Sequence, residues 1–200
     1  MLKFKHNIQN ELSGVQLRRV IILFLSIFVF FQTANASVES DENWYQTMSR
    51  HISETWHDGN VEMYLPLKTI HMPFAYSHEQ RENFNENPLG FGIGKGRFNS
   101  NGNYEGMMVM VFQDSHSKPE YLAGYQWIPQ WSLSDNFKAG LGAVGFISAR
   151  SDFLHYTPFP GVLPVASLSY KNLMLETTYI PGVSSFGGNV LFVMLKWKFD

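Results

Sequence analysis

Two periodicities divide the chain. From Trp44 to Trp56 the apolar residues Trp44, Met48, Ile52 and Trp56 recur at i, i+4, with Gln46, Ser49, Arg50, Ser53 and Glu54 between them. This spacing predicts a short amphipathic helix. Its tryptophans suit a membrane interface, although a helix packed on a soluble core would show the same pattern. After Trp56 the period falls to two. Strands are predicted near 61–76, 89–98, 104–114, 119–131, 136–150, 160–170, 173–181 and 189–199, with no further helix. Asn99-Ser100-Asn101-Gly102-Asn103 and Lys171-Asn172 read as tight turns, Ser184 to Gly188 as a looser one, and Ser77 to Pro88 as a longer polar loop.

The parity of the strands separates two kinds of barrel. In the last strand Leu191, Val193, Leu195, Trp197 and Phe199 share a face, with Lys196 and Lys198 opposite. In the fifth, Phe137, Ala139, Leu141, Ala143 and Ile147 face one way, while Lys138, Gly140, Gly142, Ser148 and Arg150 face the other. An apolar outside with a mixed inside predicts an all-β fold, an eight-stranded antiparallel transmembrane β-barrel preceded by an N-terminal amphipathic α-helix. A soluble lipocalin-like barrel would have the opposite sense. The inward Gly140 and Gly142 leave room for a ligand in the lumen. Pro66 and Pro164 interrupt predicted strands, and proline cannot donate to a ladder. They mark either gaps in the wall that admit lipid sideways or simple strand ends.

Targeting signals fit this placement. Arg18-Arg19, the apolar run Ile21 to Phe31 and Ala34-Asn35-Ala36 form a secretory signal peptide with cleavage after Ala36. The predicted organisation is therefore signal peptide at 1–36, a helical segment at 37–60 and the barrel at 61–200. The chain has 200 residues, 16% of them aromatic and 16% charged, below the roughly 25% charge of soluble domains. Beyond Ala36 there are 11 Lys+Arg against 16 Asp+Glu, a net charge of −5, with no basic stripe for nucleic acid. Cysteine is absent, so stability comes from a packed core or a bilayer rather than disulfides.

Candidate chemistry lies in Tyr104 to Trp127, YEGMMVMVFQDSHSKPEYLAGYQW. An uncharged strand, Gly106 to Phe112, runs straight into Asp114-Ser115, and His116-Ser117-Lys118-Pro119 reverses the chain. A carboxylate beside a hydroxyl at the end of an apolar wall suits chemistry at a greasy mouth; an Asp-Ser turn capped by its own side chains reads equally simply. A metal centre built from His71, His78, His116 and His155 is disfavoured, since no two of them have a close ligand spacing.

Several stretches together resemble the PagP family, the outer-membrane lipid A palmitoyltransferases. They are YLPLKTIHMPFAY at 64–76, NPLGFG at 87–92, FQDSHSKPEYLAGYQW at 112–127, FPGVLPVASLSY at 159–170 and YIPGVSSFGGNV at 179–190, in order along Trp44 to Phe199. The resemblance implies a tilted eight-stranded barrel with the helix at its periplasmic end. It also implies transfer of a palmitoyl chain from the sn-1 position of a phospholipid to an acyl hydroxyl of lipid A, leaving a lysophospholipid. The partners implied are a phospholipid donor, a lipid A acceptor and the outer-membrane bilayer, with a monomeric protein, no cofactor and an active site facing the outer leaflet. By resemblance, the catalytic residues are His71, Asp114 and Ser115. Two wall openings map onto Pro66 with Pro88 and Pro164 with Pro181, and a lumenal arginine onto Arg150.

Acyl transfer needs a base for the attacking hydroxyl, an acid for the leaving group and oxyanion stabilisation. His71 is suited to the proton, and Asp114 to orienting its imidazole. Ser115 either forms an acyl-enzyme or hydrogen-bonds the oxyanion, and no G-x-S-x-G elbow surrounds it. The chain also departs from the family. His116 and Ser117 stand where Trp and Asn are usual, Pro119 replaces another Trp, and His78-Glu79-Gln80-Arg81 is less basic than in relatives. At the floor of the acyl pocket Gln126 takes the place of glycine, and strand alternation turns it inward. The competing reading is a non-catalytic barrel of structural, adhesin or lipid-binding type, which gives no reason for His71 and Asp114-Ser115 to match together.

Overall fold

The computed structural model describes residues 43–152, 154–182 and 188–199. The expected signal peptide at 1–36 and most of the expected Ser184 to Gly188 turn lie outside them. One compact unit comprises 45–181 and 188–200; residues 43, 44 and 182 are the described part of a second, 1–44 and 182–187. The elements are helix α1 (Trp44–Asp58), β1 (Asn60–His71), a one-turn helix α2 (His78–Glu82), β2 (Gly90–Phe98), β3 (Tyr104–Gln113), β4 (Pro119–Ile128), β5 (Gln130–Ser132), β6 (Phe137–Arg150), β7 (Phe159–Tyr170), β8 (Leu173–Ile180) and β9 (Val190–Lys198). The sheet runs β4-β3-β2-β1-β9-β8-β7-β6, all antiparallel, and β4 pairs β6 to close it. Strand β5 continues β4 along β6, so the barrel has eight staves.

The alternation read from the sequence sets inside and outside. In β6 Phe137, Leu141 and Ile147 are exposed, and Gly140, Val144 and Ser148 are buried. In β9 Lys196 is buried while Trp197 is exposed. Every stave thus turns large apolar residues outward, among them Phe91, Ile93, Val109, Leu141, Val162 and Leu175. Such a surface is stable only against hydrocarbon. Inside, Met108, Met110, Phe112, Val144, Val165, Met174 and Met194 form an apolar cluster, with Leu122, Phe146, Leu163 and Phe192 against it.

A polar floor also lies inside. Glu62 accepts from the hydroxyls of Tyr64, at 3.0 Å, and of Tyr104. Lys196 pairs with Glu176 at 2.5 Å and lies 3.7 Å from the centre of the Tyr104 ring.

Helix α1 packs through its polar edge. His51 Nδ1 pairs with the buried Glu105 at 2.6 Å, and Arg97 bridges Glu105, at 2.8 Å, and Glu54. Met48, Ile52 and Trp56 remain exposed. An apolar helix face turned away from the barrel favours the membrane-interface reading of this helix over a soluble core.

Three features of the fold depart from the sequence expectations. The fourth predicted strand breaks at Pro129, which lacks the N–H that the ladder requires; its carbonyl instead accepts from Leu141 N at 3.2 Å. The polar loop contains α2, because Ser77 and Gln80 form a reciprocal capping box. And the inward glycines leave no space: a Cβ on Gly140 would come within 2.3 Å of the Gln130 amide, and one on Gly142 within 2.1 Å of the Trp127 carbonyl. They admit the bent β4–β5 junction rather than a ligand.

The ladder lapses in two places. Strand β1 pairs β2 only from Asn60 to Tyr64, so Leu65 to His71 have no β2 partner, and β1 also slips register against β9 between Pro66 and Lys68. Strand β7 pairs β8 only from Val165 to Tyr170, so the segment containing Pro160 and Pro164 faces Tyr179 to Pro181 without a ladder. Both prolines sit where pairing stops, and both gaps open toward the end that carries the longer loops.

Candidate active site

The segments that gather here leave the barrel at that same end. His71 closes β1, and Asp114-Ser115 follows β3. The β1–β2 loop returns beside them: Thr69 N donates to Glu86 O at 2.9 Å, so Glu86 runs alongside the unpaired part of β1. Asn85 N donates to Ser115 O at 2.8 Å, and Asn85 Nδ2 to Gln113 Oε1 at 3.1 Å. One loop therefore fixes both the β1 end and the turn that carries the serine.

The imidazole of His71 is buried, with Nε2 3.0 Å from Ser115 Oγ. Its ring stacks on Phe84 at 4.3 Å and meets the edge of Tyr76 at 5.2 Å. Tyr76 is anchored in turn by its hydroxyl, which donates to Gly188 O at 2.6 Å. On the other side Nδ1 lies 3.4 Å from Glu86 Oε1, and the backbone N–H of His71 donates to the same oxygen at 3.3 Å. Partial burial pushes the Glu86 carboxyl up, but the His71 backbone N–H, the imidazole and Lys68 more than offset it and hold it below the ordinary carboxylate range.

Asp114 stands elsewhere than the sequence reading expected. Its Oδ1 accepts from His116 N at 2.8 Å and Lys118 N at 2.9 Å, so the carboxylate caps the turn; its buried Oδ2 has no hydrogen-bond partner among the described residues. The structure brings His71 and Ser115 together and gives the Nδ1 side of the imidazole to Glu86, which the sequence reading missed. Arg150 ends β6 with its fork on Asp152, at 2.6 and 2.7 Å, and Glu120 3.8 Å away. Asp114, His116 and Asp152 bring ligand atoms within 4.8 Å of one another. Both Asp152 oxygens are already held by the guanidinium, which stands where a cation would. Gln126 is fully buried in the floor, its amide oriented to donate to Glu176 Oε2 at 3.1 Å and to accept from Lys196 Nζ at 2.7 Å.

The comparisons fit this geometry. Residues 51–196 match the family model described as "Antimicrobial peptide resistance and lipid A acylation protein PagP". The chain belongs to the PagP family. A protein of Methylobacillus flagellatus named "Lipid A acyltransferase PagP" is 37% identical over 180 residues, covering 89% of this chain and 96% of the relative. One of Laribacter hongkongensis with the same name is 39% identical over 155 residues, covering 78% and 74%. One of Salmonella typhi is 36% identical over 185 residues, covering 90% and 96%. The match to the family model thus spans the barrel up to the last residues of β9, and His71, the Asp114-Ser115 turn and both ladder gaps fall within it.

Proposed function

We propose that this protein is a lipid A acyltransferase of the outer membrane, moving a fatty acyl chain from the sn-1 position of a phospholipid to a hydroxyl of lipid A. The observation that carries it is the His71–Ser115 contact of 3.0 Å at the mouth of an apolar lumen, in a barrel of the PagP family. The long-loop end faces outward, so the site meets the outer leaflet, as short turns and long loops are distributed in such barrels. The two ladder gaps, by Pro66 with Pro88 and by Pro164 with Pro181, let lipids enter from the side. The protein acts as a monomer and without a cofactor.

The acceptor hydroxyl attacks the ester carbonyl and gives its proton to His71 Nε2. The same imidazole returns the proton to the departing glycerol oxygen, releasing lysophospholipid. Ser115 donates its O–H to the carbonyl oxygen as negative charge develops there. Asp114 holds the turn that places Ser115, and Arg150 steadies the neighbouring loop through Asp152. A second reading has specific support: 3.0 Å between serine and imidazole is also the contact of a nucleophile and its base, giving an acyl-Ser115 intermediate. Lysophospholipid released in a burst without acceptor would establish that route; strict dependence on acceptor would establish direct transfer.

The test is mass spectrometry of lipid A from cells that express the chain, an empty vector, or His71→Ala, Asp114→Ala or Ser115→Ala. An added acyl mass with the wild-type chain alone is expected. Unmodified lipid A in every strain rejects the assignment, and full activity in a folded variant removes that residue from the mechanism.

A further inference from the structure

Among the described residues, the Nδ1 edge of the His71 imidazole has one carboxylate within reach, and it is not the one beside the serine. Glu86 Oε1 lies 3.4 Å from Nδ1 and also takes the His71 backbone N–H at 3.3 Å. The carboxylate is held on its far side, where Oε2 lies 3.6 Å from Lys68 Nζ and Lys68 donates to Asn87 Oδ1 at 3.1 Å. Its backbone is fixed as well, through Thr69 N on Glu86 O at 2.9 Å. A carboxylate so placed selects the tautomer with the proton on Nδ1, which leaves the Nε2 lone pair facing Ser115. It also stabilises the imidazolium that forms when Nε2 takes a proton.

We propose that Glu86 is the positioning residue of the His71 base, completing a chain Lys68–Glu86–His71–Ser115 across the gap between β1 and β2. Asp114 then serves the turn, and Glu86 alone fills the role that the buried aspartate has in a serine-protease triad. The proposal rests on the acyl-transfer reading of His71. Truncating Glu86 leaves Nδ1 free to lose its proton, so the wrong tautomer presents N–H rather than a lone pair at Nε2. The loss falls on kcat rather than KM, because Glu86 acts through His71 and not on the substrate.

The experiment is acyl-transfer kinetics against pH in detergent micelles for wild type, Glu86→Gln, Glu86→Ala and His71→Ala, with heat-modifiable migration as the check of fold. The groups facing the imidazole are Glu86 with Lys68 behind it, the Tyr76 hydroxyl-bearing ring, the Ser115 hydroxyl, and His116 across Phe84. Of these only the carboxylate favours the imidazolium. Removing it lowers the pH at which His71 becomes neutral, so the acid limb of the kcat profile moves to lower pH in both Glu86 variants. Glu86→Ala is expected to lose about tenfold to a thousandfold in kcat, short of the ~10⁴ of a fully buried triad carboxylate, with KM little changed. Wild-type kcat and acid limb in both variants overturn the proposal. So does a loss of activity with the acid limb unmoved in the folded, isosteric Glu86→Gln. A fully active His71→Ala would instead remove the reading of His71 itself.

Discussion

At Gln126 a primary amide bridges a buried carboxylate and a buried ammonium, and a single substitution there acts on two properties. Gln126→Gly removes two hydrogen bonds to charged groups, each worth about 1.5–3 kcal/mol, while Glu176 and Lys196 still pair with each other. With that remaining pair offsetting part of the loss, the folded barrel is expected to lose about 2–4 kcal/mol, read as a lower unfolding midpoint in denaturant. The same change deepens the apolar lumen by the length of the side chain. Each methylene newly buried contributes about 0.8 kcal/mol, so room for two of them shifts donor preference by about tenfold. The wild-type protein is expected to favour a chain shorter than palmitate, or to select length less sharply, and Gln126→Gly to move selection toward longer chains. Because Lys196 and Glu176 stay in place beneath, the shift is bounded to a few methylenes. Competition between phospholipid donors of graded length checks it, and identical, sharply palmitate-selective profiles would sink it. The inward direction of Gln126 was legible from alternation between Tyr125 and Trp127, and His71 with Ser115 from the family resemblance. Glu86 was not legible. It sits in a polar loop whose residues look like spacer, and the hydrogen bonds from Thr69 to its carbonyl and from His71 to its carboxylate bring it back along β1. A period-two scan carries no information about a loop that returns on its own strand.

Helix α1 depends on a cluster of charges that its apolar periodicity did not reveal. Arg97 ties Glu54 on the helix to Glu105 on β3, whose side chain is wholly buried and also takes Asn99 Nδ2 at 2.7 Å. Arg97→Ala leaves that carboxylate short of one charged partner and is expected to destabilise the protein by about 1.5–3 kcal/mol. Calorimetry of the folded barrel in micelles is the check, with kcat unchanged because the site lies at the other end of the staves. Slight burial raises the Glu54 carboxyl, but Arg50 and Arg97 together hold it below its ordinary value of 4.5. A depressed folded-state value means that this contribution is present above the ordinary range and fades as pH falls through the lower, folded one. The Arg97→Ala deficit should therefore shrink under acid, and a deficit constant down to pH 3 would contradict the role of Glu54. The strands themselves were readable because one face of each meets hydrocarbon, which forces strict alternation. Readability failed where backbone chemistry overrides the pattern: at Pro129, at the Ser77–Gln80 box, and at Gly140 and Gly142, where missing side chains make room for neighbouring chain rather than for ligand.

For the whole molecule, an apolar belt with polar groups buried inside predicts a barrel that stays folded in mild detergent, migrates differently after boiling, and fractionates with the outer membrane; recovery as a detergent-independent periplasmic protein would reject this. The closed wall then poses a problem of access, since a lipid cannot cross an unbroken ladder. Lateral entry at the two lapses would solve it, and the absence of cysteine from the sequence makes that entry testable. Antiparallel pairing of β7 with β8 runs from Tyr170↔Leu173 to Val165↔Thr178 and stops. Extending the same register by two residues places Leu163 opposite Ile180, both on the inward side by alternation. A disulfide between Leu163→Cys and Ile180→Cys would close this gap, and strand β9, whose Val190 lies opposite both Ile180 and His71, separates the new bond from the imidazole. If lipid enters between β7 and β8, the oxidised double variant should lose most of its turnover and recover it on reduction, while each single variant stays active. Mass spectrometry of the intact protein establishes that the bond has formed. A fully oxidised barrel that still acylates at the wild-type rate would show that this gap is not the route, and would leave the seam at Pro66, where β1 parts from β2, as the entrance for both lipids.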